Sequence, residues 1–423
     1  MNQEIQMLIE NSLSLINQKR YAEAEEMFRQ ILCIDPTNTI SLSQLGRIAA
    51  AQKKYSEAEQ LFHHVLNISP TNLTAINELG NIYFAQMHYS KALECYLKAL
   101  DIHCKVLSKD HSETATTYSN IAAVYSRLSN YSEALEWYQR VLDINEKIMG
   151  IERPSIATTY NNIATVYYRQ GHYPKALEWY QKALEIKEKV LGSEHPDTAT
   201  NYNNIASVYD SQGDYPKALE WYQKALNVRE KILGLEHPDT ATSYNNIAGI
   251  YYRQSDYSKA LEWYQKALEI KEKVLEIGHP STATSYNNIA LVYSSMGDYH
   301  KALEWYHKAL EIKEKVLGLE HPDTATSYNN IASVYYSQSD YLKALGWYYK
   351  ALEIREQVIG LEHPDTATSY NNIAGVYYHQ GDYSKALEWY QKALVICEKM
   401  LGLEHPNTVV INENIATIKD LLN

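Results

Sequence analysis

The sequence predicts an all-α fold, a right-handed α–α superhelical solenoid of about ten helical hairpins followed by a C-terminal capping helix. Three observations support this prediction. All tryptophans recur every 42 residues, the His-Pro pairs recur at the same step, and the apolar residues of each unit follow the spacing of a helix face. The tryptophans are Trp137, Trp179, Trp221, Trp263, Trp305, Trp347 and Trp389. The His-Pro pairs begin at His195, His237, His279, His321, His363 and His405.

The repeats have two lengths. Tyr21, Tyr55 and Tyr89 are 34 residues apart, and from Tyr89 the step becomes 42 and reaches Tyr383. In the last helix Asn412 replaces the tyrosine of the other repeats, as suits a cap that faces water. We predict one solenoid over residues 1–423, made of two 34-residue repeats (5–72), eight 42-residue repeats (73–408) and the capping helix (409–423).

Each unit reads as two helices joined by a tight turn. In the first helix, apolar side chains lie at i, i+3, i+4 and i+7, which places them on one face. They are Tyr202, Ile205, Ala206 and Tyr209. The turn follows because Gly213 can adopt a positive φ and Asp214 can cap the next helix, while Pro216 fits its first turn.

The second helix has a broad apolar side. Gly234 ends it, and we expect Leu235 to fold back onto the last turn. Its main face carries Tyr215, Ala218, Leu219, Tyr222, Ala225, Leu226 and Leu233, and its flank carries Trp221, Val228 and Ile232. One hairpin cannot bury this much apolar surface alone, so the hairpins should stack on their neighbours.

This pattern resembles the tetratricopeptide repeat (TPR) family over essentially the whole chain. The family's order of small residue, aromatic, turn, aromatic, alanine, aromatic and alanine is matched by Ala206, Tyr209, Gly213, Asp214, Tyr215, Ala218, Tyr222 and Ala225. The 42-residue units, which end in LGLEHPDT, are similar to those of kinesin light chains and nephrocystin-3-like proteins. The resemblance implies a groove lined by the first helices, which holds an extended peptide.

Composition narrows the partners. The net charge of −12 disfavours a nucleic-acid partner, because an acidic surface repels phosphates. No apolar run approaches the roughly 20 residues that a membrane span needs. The four cysteines form no CxxC pair, which suits a reducing compartment, and we predict a cytoplasmic protein. The sequence does not specify the oligomeric state.

No pattern indicates an enzyme. Equivalent histidines in stacked hairpins would lie about 8–10 Å apart, too far to share a metal ion. A histidine before a proline at a helix start is more simply a helix-entry residue, and Asp197 suits the positive end of that helix. We therefore predict no catalytic residue, metal or cofactor.

The second asparagine of a recurring Asn-Asn pair lies opposite the apolar face of each first helix. A carboxamide can bind a peptide backbone whatever the side chains of the peptide, and TPR clamps use an asparagine here in this way. The alternative is that these amides tie adjacent helices together or stay hydrated. The row is Asn120, Asn162, Asn204, Asn246, Asn288, Asn330, Asn372 and Asn414.

Three groove-facing positions vary between repeats while the core positions barely change. The first position reads Ala123, Thr165, Ser207, Gly249, Leu291, Ser333, Gly375; the second Ser126, Tyr168, Asp210, Tyr252, Ser294, Tyr336, Tyr378; the third Arg127, Arg169, Ser211, Arg253, Ser295, Ser337, His379. Small residues at the first position would admit a peptide backbone, tyrosines would anchor side chains, and arginines would favour carboxylates. Free drift of surface positions after duplication explains the variation equally simply.

The function that the sequence favours is a non-enzymatic adaptor that binds an extended protein segment, with an acidic stretch favoured by Arg127, Arg169 and Arg253. The alternative is a kinesin-light-chain-like cargo adaptor, or the sensor array of a larger signalling assembly. That alternative needs a coupling module.

Overall fold

The computed structural model describes residues 2–18, 20–106, 111–149, 153–275 and 278–422. These residues form 21 α-helices, numbered α1 to α21 in chain order, and no strand. The predicted all-α repeat solenoid is confirmed, with ten pairs of helices and one further helix in the described ranges. The chain forms two compact units, Met1–Val124 and Tyr125–Asn423.

The helices alternate between the first and the second member of each pair. The first helices are α1 (Asn2–Asn17), α3 (Thr39–Ala51), α5 (Leu73–Ala85), α7 (Ser112–Arg127), α9 (Pro154–Arg169), α11 (Pro196–Ser211), α13 (Pro238–Arg253), α15 (Pro280–Ser295), α17 (Pro322–Ser337) and α19 (Pro364–His379). The second helices are α2 (Tyr21–Ile34), α4 (Tyr55–Ile68), α6 (Tyr89–Val106), α8 (Tyr131–Met149), α10 (Tyr173–Leu191), α12 (Tyr215–Leu233), α14 (Tyr257–Val274), α16 (Tyr299–Leu317), α18 (Tyr341–Val358) and α20 (Tyr383–Met400). The last helix is α21 (Pro406–Leu422).

The turn between the two helices of a pair forms as predicted. Gly213 has a φ of +77°, and Oδ1 of Asp214 accepts a hydrogen bond from the backbone N–H of Lys217 at 3.3 Å. Serine takes the left-handed position at Ser255 and Ser339, with φ values of +60° and +61°. The turn geometry is therefore kept even where glycine is absent, and the helix cap helps to hold it.

Stacking between repeats is visible in the buried clusters of the second unit. Tyr222 and Leu226 of α12 pack with Ala206 of α11 and with Ile247 and Ile250 of the following repeat. Two consecutive hairpins thus share one core, which is what the excess of apolar surface predicted. In α21, Asn412 is exposed as expected for a helix with a polar outer face.

The expectation for Leu235 was wrong. Its side chain is 61% exposed and does not fold back onto the last turn of α12. The reason is the backbone of Gly234, where φ of +92° and ψ of 166° lead the chain away from the helix instead of curling it back. The same exposed leucine recurs at Leu319, Leu361 and Leu403.

Candidate functional site

The first helices of the later repeats begin at the His-Pro pairs, and the histidine ring caps each of them. Nδ1 of His195 accepts a hydrogen bond from the backbone N–H of Asp197 at 3.1 Å, and the Asp197 carboxylate lies in the positively polarised first turn. These histidines are therefore helix-entry residues, as predicted. The same bond recurs at His237, His279, His321, His363 and His405.

Part of the predicted asparagine row forms a ladder between neighbouring first helices. Nδ2 of Asn246 donates to Oδ1 of Asn203 in the preceding repeat at 2.6 Å. The equivalent bonds, both of 2.8 Å, run from Asn288 to Asn245 and from Asn372 to Asn329. At these three rungs the amides tie adjacent helices together, so fewer of their hydrogen-bonding groups remain for a ligand.

Other members of the row lack this rung. The carboxamides of Asn204 and Asn330 make no hydrogen bond within the part of the chain that the structure describes. Their counterparts in the preceding repeats, Asn161 and Asn287, each have a buried Oδ1 without a hydrogen-bond partner. Asn120 and Asn162 are half-buried on α7 and α9. The near-identical sequences thus produce two kinds of asparagine, tied and free.

Asn201 explains the first break in the ladder. Its side chain is fully buried, and its Oδ1 accepts from Nδ2 of Asn161 at 2.6 Å. This turns the Asn161 carboxamide away from Asn204. The neighbouring repeats carry Thr159 and Ser243 at the position of Asn201, so this substitution was the sequence signal for the break.

Two of the three variable positions pair with each other across repeats, always 43 residues apart. Asp210 forms an ion pair with Arg253, whose Nε lies 2.9 Å from Oδ1. The other pairs are Tyr168 with Ser211 and Tyr252 with Ser295, both at 2.8 Å between hydroxyl oxygens, and the rings of Tyr336 and His379, with centroids 5.4 Å apart. Variation at one position is therefore matched by its neighbour, and these side chains contact one another first.

The pairing changes what the arginines can offer. Arg253 faces the half-buried Asp210, and burial raises the pKa of that carboxyl although Arg253 opposes the shift. A paired arginine attracts an acidic residue weakly because the pair is close to neutral. Arg127 is exposed and Arg169 is half-buried.

The predicted anchor tyrosines are half-buried, and each packs against the tyrosine that begins the second helix of its own hairpin. The ring pairs are Tyr168 with Tyr173, Tyr252 with Tyr257, Tyr336 with Tyr341 and Tyr378 with Tyr383, at centroid distances of 6.0, 5.9, 6.1 and 5.6 Å. Such pairs fix the rings in place. Their remaining exposed faces are the part that can meet a ligand.

The first variable position contacts the second helix. Where it carries a hydroxyl, that hydroxyl bonds the phenol of a buried tyrosine in the same hairpin. The pairs are Thr165 with Tyr180 at 2.9 Å, Ser207 with Tyr222 at 2.9 Å and Ser333 with Tyr348 at 3.0 Å. Small residues here therefore make room for a tyrosine hydroxyl, and only Gly249 and Gly375 lack such a bond.

A row of buried cations was missed by the sequence analysis. It lies on the second helices, and each member donates to a main-chain carbonyl in the first turn of the next repeat. The donors and acceptors are Lys187 to Asp197 (3.1 Å), Arg229 to Asp239 (3.2 Å), Lys271 to Ser281 (3.2 Å), Lys313 to Asp323 (3.1 Å) and Arg355 to Asp365 (2.9 Å). The signal was present, because Lys187 continues the i, i+3, i+4, i+7 series of Tyr180, Ala183 and Leu184.

One cation should give the stability of the chain a distinct pH dependence. Burial lowers the pKa of Lys271 from 10.5 to about 8. Between these values the unfolded chain keeps the proton that the folded chain has released, so stability rises with pH. We expect the wild-type chain to gain on the order of 1 kcal/mol relative to Lys271→Met between about pH 7 and pH 9. Urea unfolding at the two pH values measures this, and parallel pH profiles would contradict it.

No group of three His, Cys, Asp or Glu side chains in the described ranges is placed to hold a metal ion. None of the described helices combines the length and the apolar character that crossing a bilayer requires.

Family models match most of the chain. A tetratricopeptide repeat model matches residues 70–147, 155–231, 202–273, 281–357, 323–399 and 365–423, and a second tetratricopeptide repeat model matches residues 15–61. The repeats predicted from the residue pattern are thereby confirmed. No curated protein matches the chain.

Solved structures share the fold. A Rap protein complexed with Competence and Sporulation Factor aligns with a TM-score of 0.54 and 16% identity, over 84% of this chain and 99% of that one. Aspartyl phosphate phosphatase F from Bacillus subtilis aligns with a TM-score of 0.53 and 17% identity, over 84% and 95%. The Podosopora anserina putative kinesin light chain with nearly identical TPR-like repeats is 26% identical over 48% and 97%, with a TM-score of 0.40.

Proposed function

The chain belongs to the tetratricopeptide repeat family, and from that premise we propose that it is a non-enzymatic scaffold that binds an extended segment of a partner protein along its first helices. Repeats of this family generally serve as interaction scaffolds. The fold is also that of a Rap protein solved with another molecule bound, the Competence and Sporulation Factor. The residues that would bind the segment lie on the first helices of the second unit.

The observation that carries the proposal is the pair of free carboxamides at Asn204 and Asn330. An extended peptide presents N–H and C=O groups at regular intervals, and a carboxamide offers both a donor and an acceptor to them. The two asparagines are half-buried and have no partner within the described residues, so a backbone can bind them without first breaking a bond of the protein. The tied asparagines lack this advantage because their donors are engaged.

The side-chain preference of the segment follows from the variable positions. An acidic stretch would meet Arg127 and Arg169, whereas Arg253 is already paired with Asp210. The exposed parts of Tyr168, Tyr252, Tyr336 and Tyr378 offer flat apolar surfaces beside these positions.

The test compares free with tied asparagines. Replacing both Asn204 and Asn330 with alanine should weaken binding of a short peptide, selected on the wild-type chain from a random library, by about tenfold or more. The melting temperature should stay unchanged, because no bond of the protein is lost. Isothermal titration and thermal unfolding of the same samples give both readouts.

The matched control replaces Asn246 and Asn288, which are bonded to the preceding repeat. Here the melting temperature should fall, because the acceptors Asn203 and Asn245 lose their donors in a half-buried place. Peptide affinity below that temperature should change less than in the first variant. Equal affinity of the Asn204 and Asn330 variant and the wild type would overturn the proposal.

A further inference from the structure

A cavity of about 140 Å³ lies in the last hairpin, between α19, α20 and α21. It is large enough for several water molecules, since one needs only about 10–15 Å³. Its lining residues are Ala367, Thr368, Asn371, Cys397, Asn407, Val410 and Ile411. All of them belong to the second unit and to the described residues.

The cavity occupies the place that a buried cation fills in the preceding repeats. Stepping back by 42 residues, Cys397 corresponds to Arg355 and Asn407 to Asp365. In that repeat Nη1 of Arg355 donates to the Asp365 carbonyl at 2.9 Å and to the hydroxyl of Ser369 at 2.8 Å. The short Cys397 side chain, 2% exposed, cannot reach so far. The last repeat therefore keeps the position of the cation without supplying the cation.

The polar groups around the cavity lack a donor. Oδ1 of Asn371 is buried without a hydrogen-bond partner. The backbone N–H of Asn407 is engaged by Nδ1 of His405 at 3.2 Å, and the hydroxyl of Thr368 donates to the Pro364 carbonyl at 3.1 Å. What remains is a set of acceptors, and ammonium and guanidinium groups are ligands that only donate. The net charge of −12 also favours a cation.

We propose that this cavity binds the ammonium or guanidinium end of a lysine or arginine side chain carried by the bound segment. The inference rests on the proposed function for the source of that side chain, but the site itself does not depend on it. Lys313 and Arg355 show, within this chain, how such a group sits against the first turn of the next repeat. The segment would thus carry a basic residue where it passes α19 and α21.

Small cations test the site alone. Methylguanidinium and propylammonium should each bind the full chain saturably, with a dissociation constant on the order of millimolar for so few atoms, and shift the amide signals of residues lining the cavity. Cys397→Lys restores the residue type of the other repeats, so it should abolish the shift. Cys397→Ala keeps the cavity open and should retain it. Circular dichroism checks the fold of each variant, and Cys397→Leu is a second blocking variant should Cys397→Lys fail to fold.

A new site can also be created. Lys313→Ala removes the cation from an inner repeat and should add a second saturable site for the same two probes. The inference is overturned if neither probe binds the wild-type chain, or if the blocking variants bind as well as the wild type.

Peptides separate this inference from the proposed function. Among library peptides bound by the wild-type chain, changing one basic residue to glutamine should weaken binding at least fivefold, and the same change should have no effect in Cys397→Lys. If the small cations bind but no peptide is captured, the cavity site stands and the scaffold proposal fails. If peptides bind and no small cation does, the cavity inference fails alone.

Discussion

Replacing Tyr222 with alanine is expected to lower the free energy of unfolding by about 3–5 kcal/mol. The side chain is 4% exposed on α12 and packs between Ala206 of its own hairpin and Ile247 and Ile250 of the next. Its removal leaves a cavity shared by two repeats, which neither can close alone. The ring accounts for most of this loss. Tyr222→Phe keeps the ring and loses only the bond to Ser207 at 2.9 Å, so it should cost about 1 kcal/mol.

The same substitution should also change how the chain unfolds. In a repeat array each repeat contacts only its neighbours, and stability depends on the coupling between them. A cavity at the interface of two central repeats weakens that coupling, so the repeats before and after it can unfold separately. Urea unfolding followed by circular dichroism should show a broader or two-step transition for Tyr222→Ala. A single transition displaced by less than about 1 kcal/mol would contradict the central role of this ring.

Most of the fold could be predicted because its determinants are local and repeated. The turn at Gly213 and Asp214, and the capped helix start at His195, depend on residues within a few positions of one another. Leu235 could not be predicted in the same way. Its position depends on which positive-φ conformation Gly234 adopts, and a sequence pattern does not distinguish these conformations.

The site could be predicted in position but not in bonding. The asparagine row lies on the first helices, yet whether a given member is tied or free depends on its neighbour's rotamer, and at Asn161 on a single substitution at Asn201. The ion pair of Asp210 and Arg253 was open to prediction, because comparing positions 43 residues apart reveals it. We had compared each position only with its own copies at 42. The buried cations were overlooked because lysine and arginine are rarely buried without a carboxylate.

Two identical substitutions in the helices of different repeats should have opposite signs. Gly→Ala inside a helix normally stabilises by about 0.5–1 kcal/mol. Gly346 of α18 should follow this rule, because nothing lies within 4 Å of the added Cβ. At Gly80 of α5 the added Cβ would lie 2.6 Å from Cε1 of Tyr96.

Gly80→Ala is therefore expected to destabilise, because its steric cost of about 1–3 kcal/mol exceeds the helix gain. The Tyr96 ring cannot move aside freely, since it is buried and its hydroxyl donates to Oδ1 of Asn81 at 2.8 Å. The free energies of unfolding of the two variants, each measured against the wild type, should thus shift in opposite directions and differ by about 2–4 kcal/mol. A double variant with Tyr96→Leu, which removes the ring that the Cβ meets, should recover most of the loss that Gly80→Ala causes in the wild-type background. Stabilisation at both glycines would mean that α5 and α6 do not approach as closely as this contact requires.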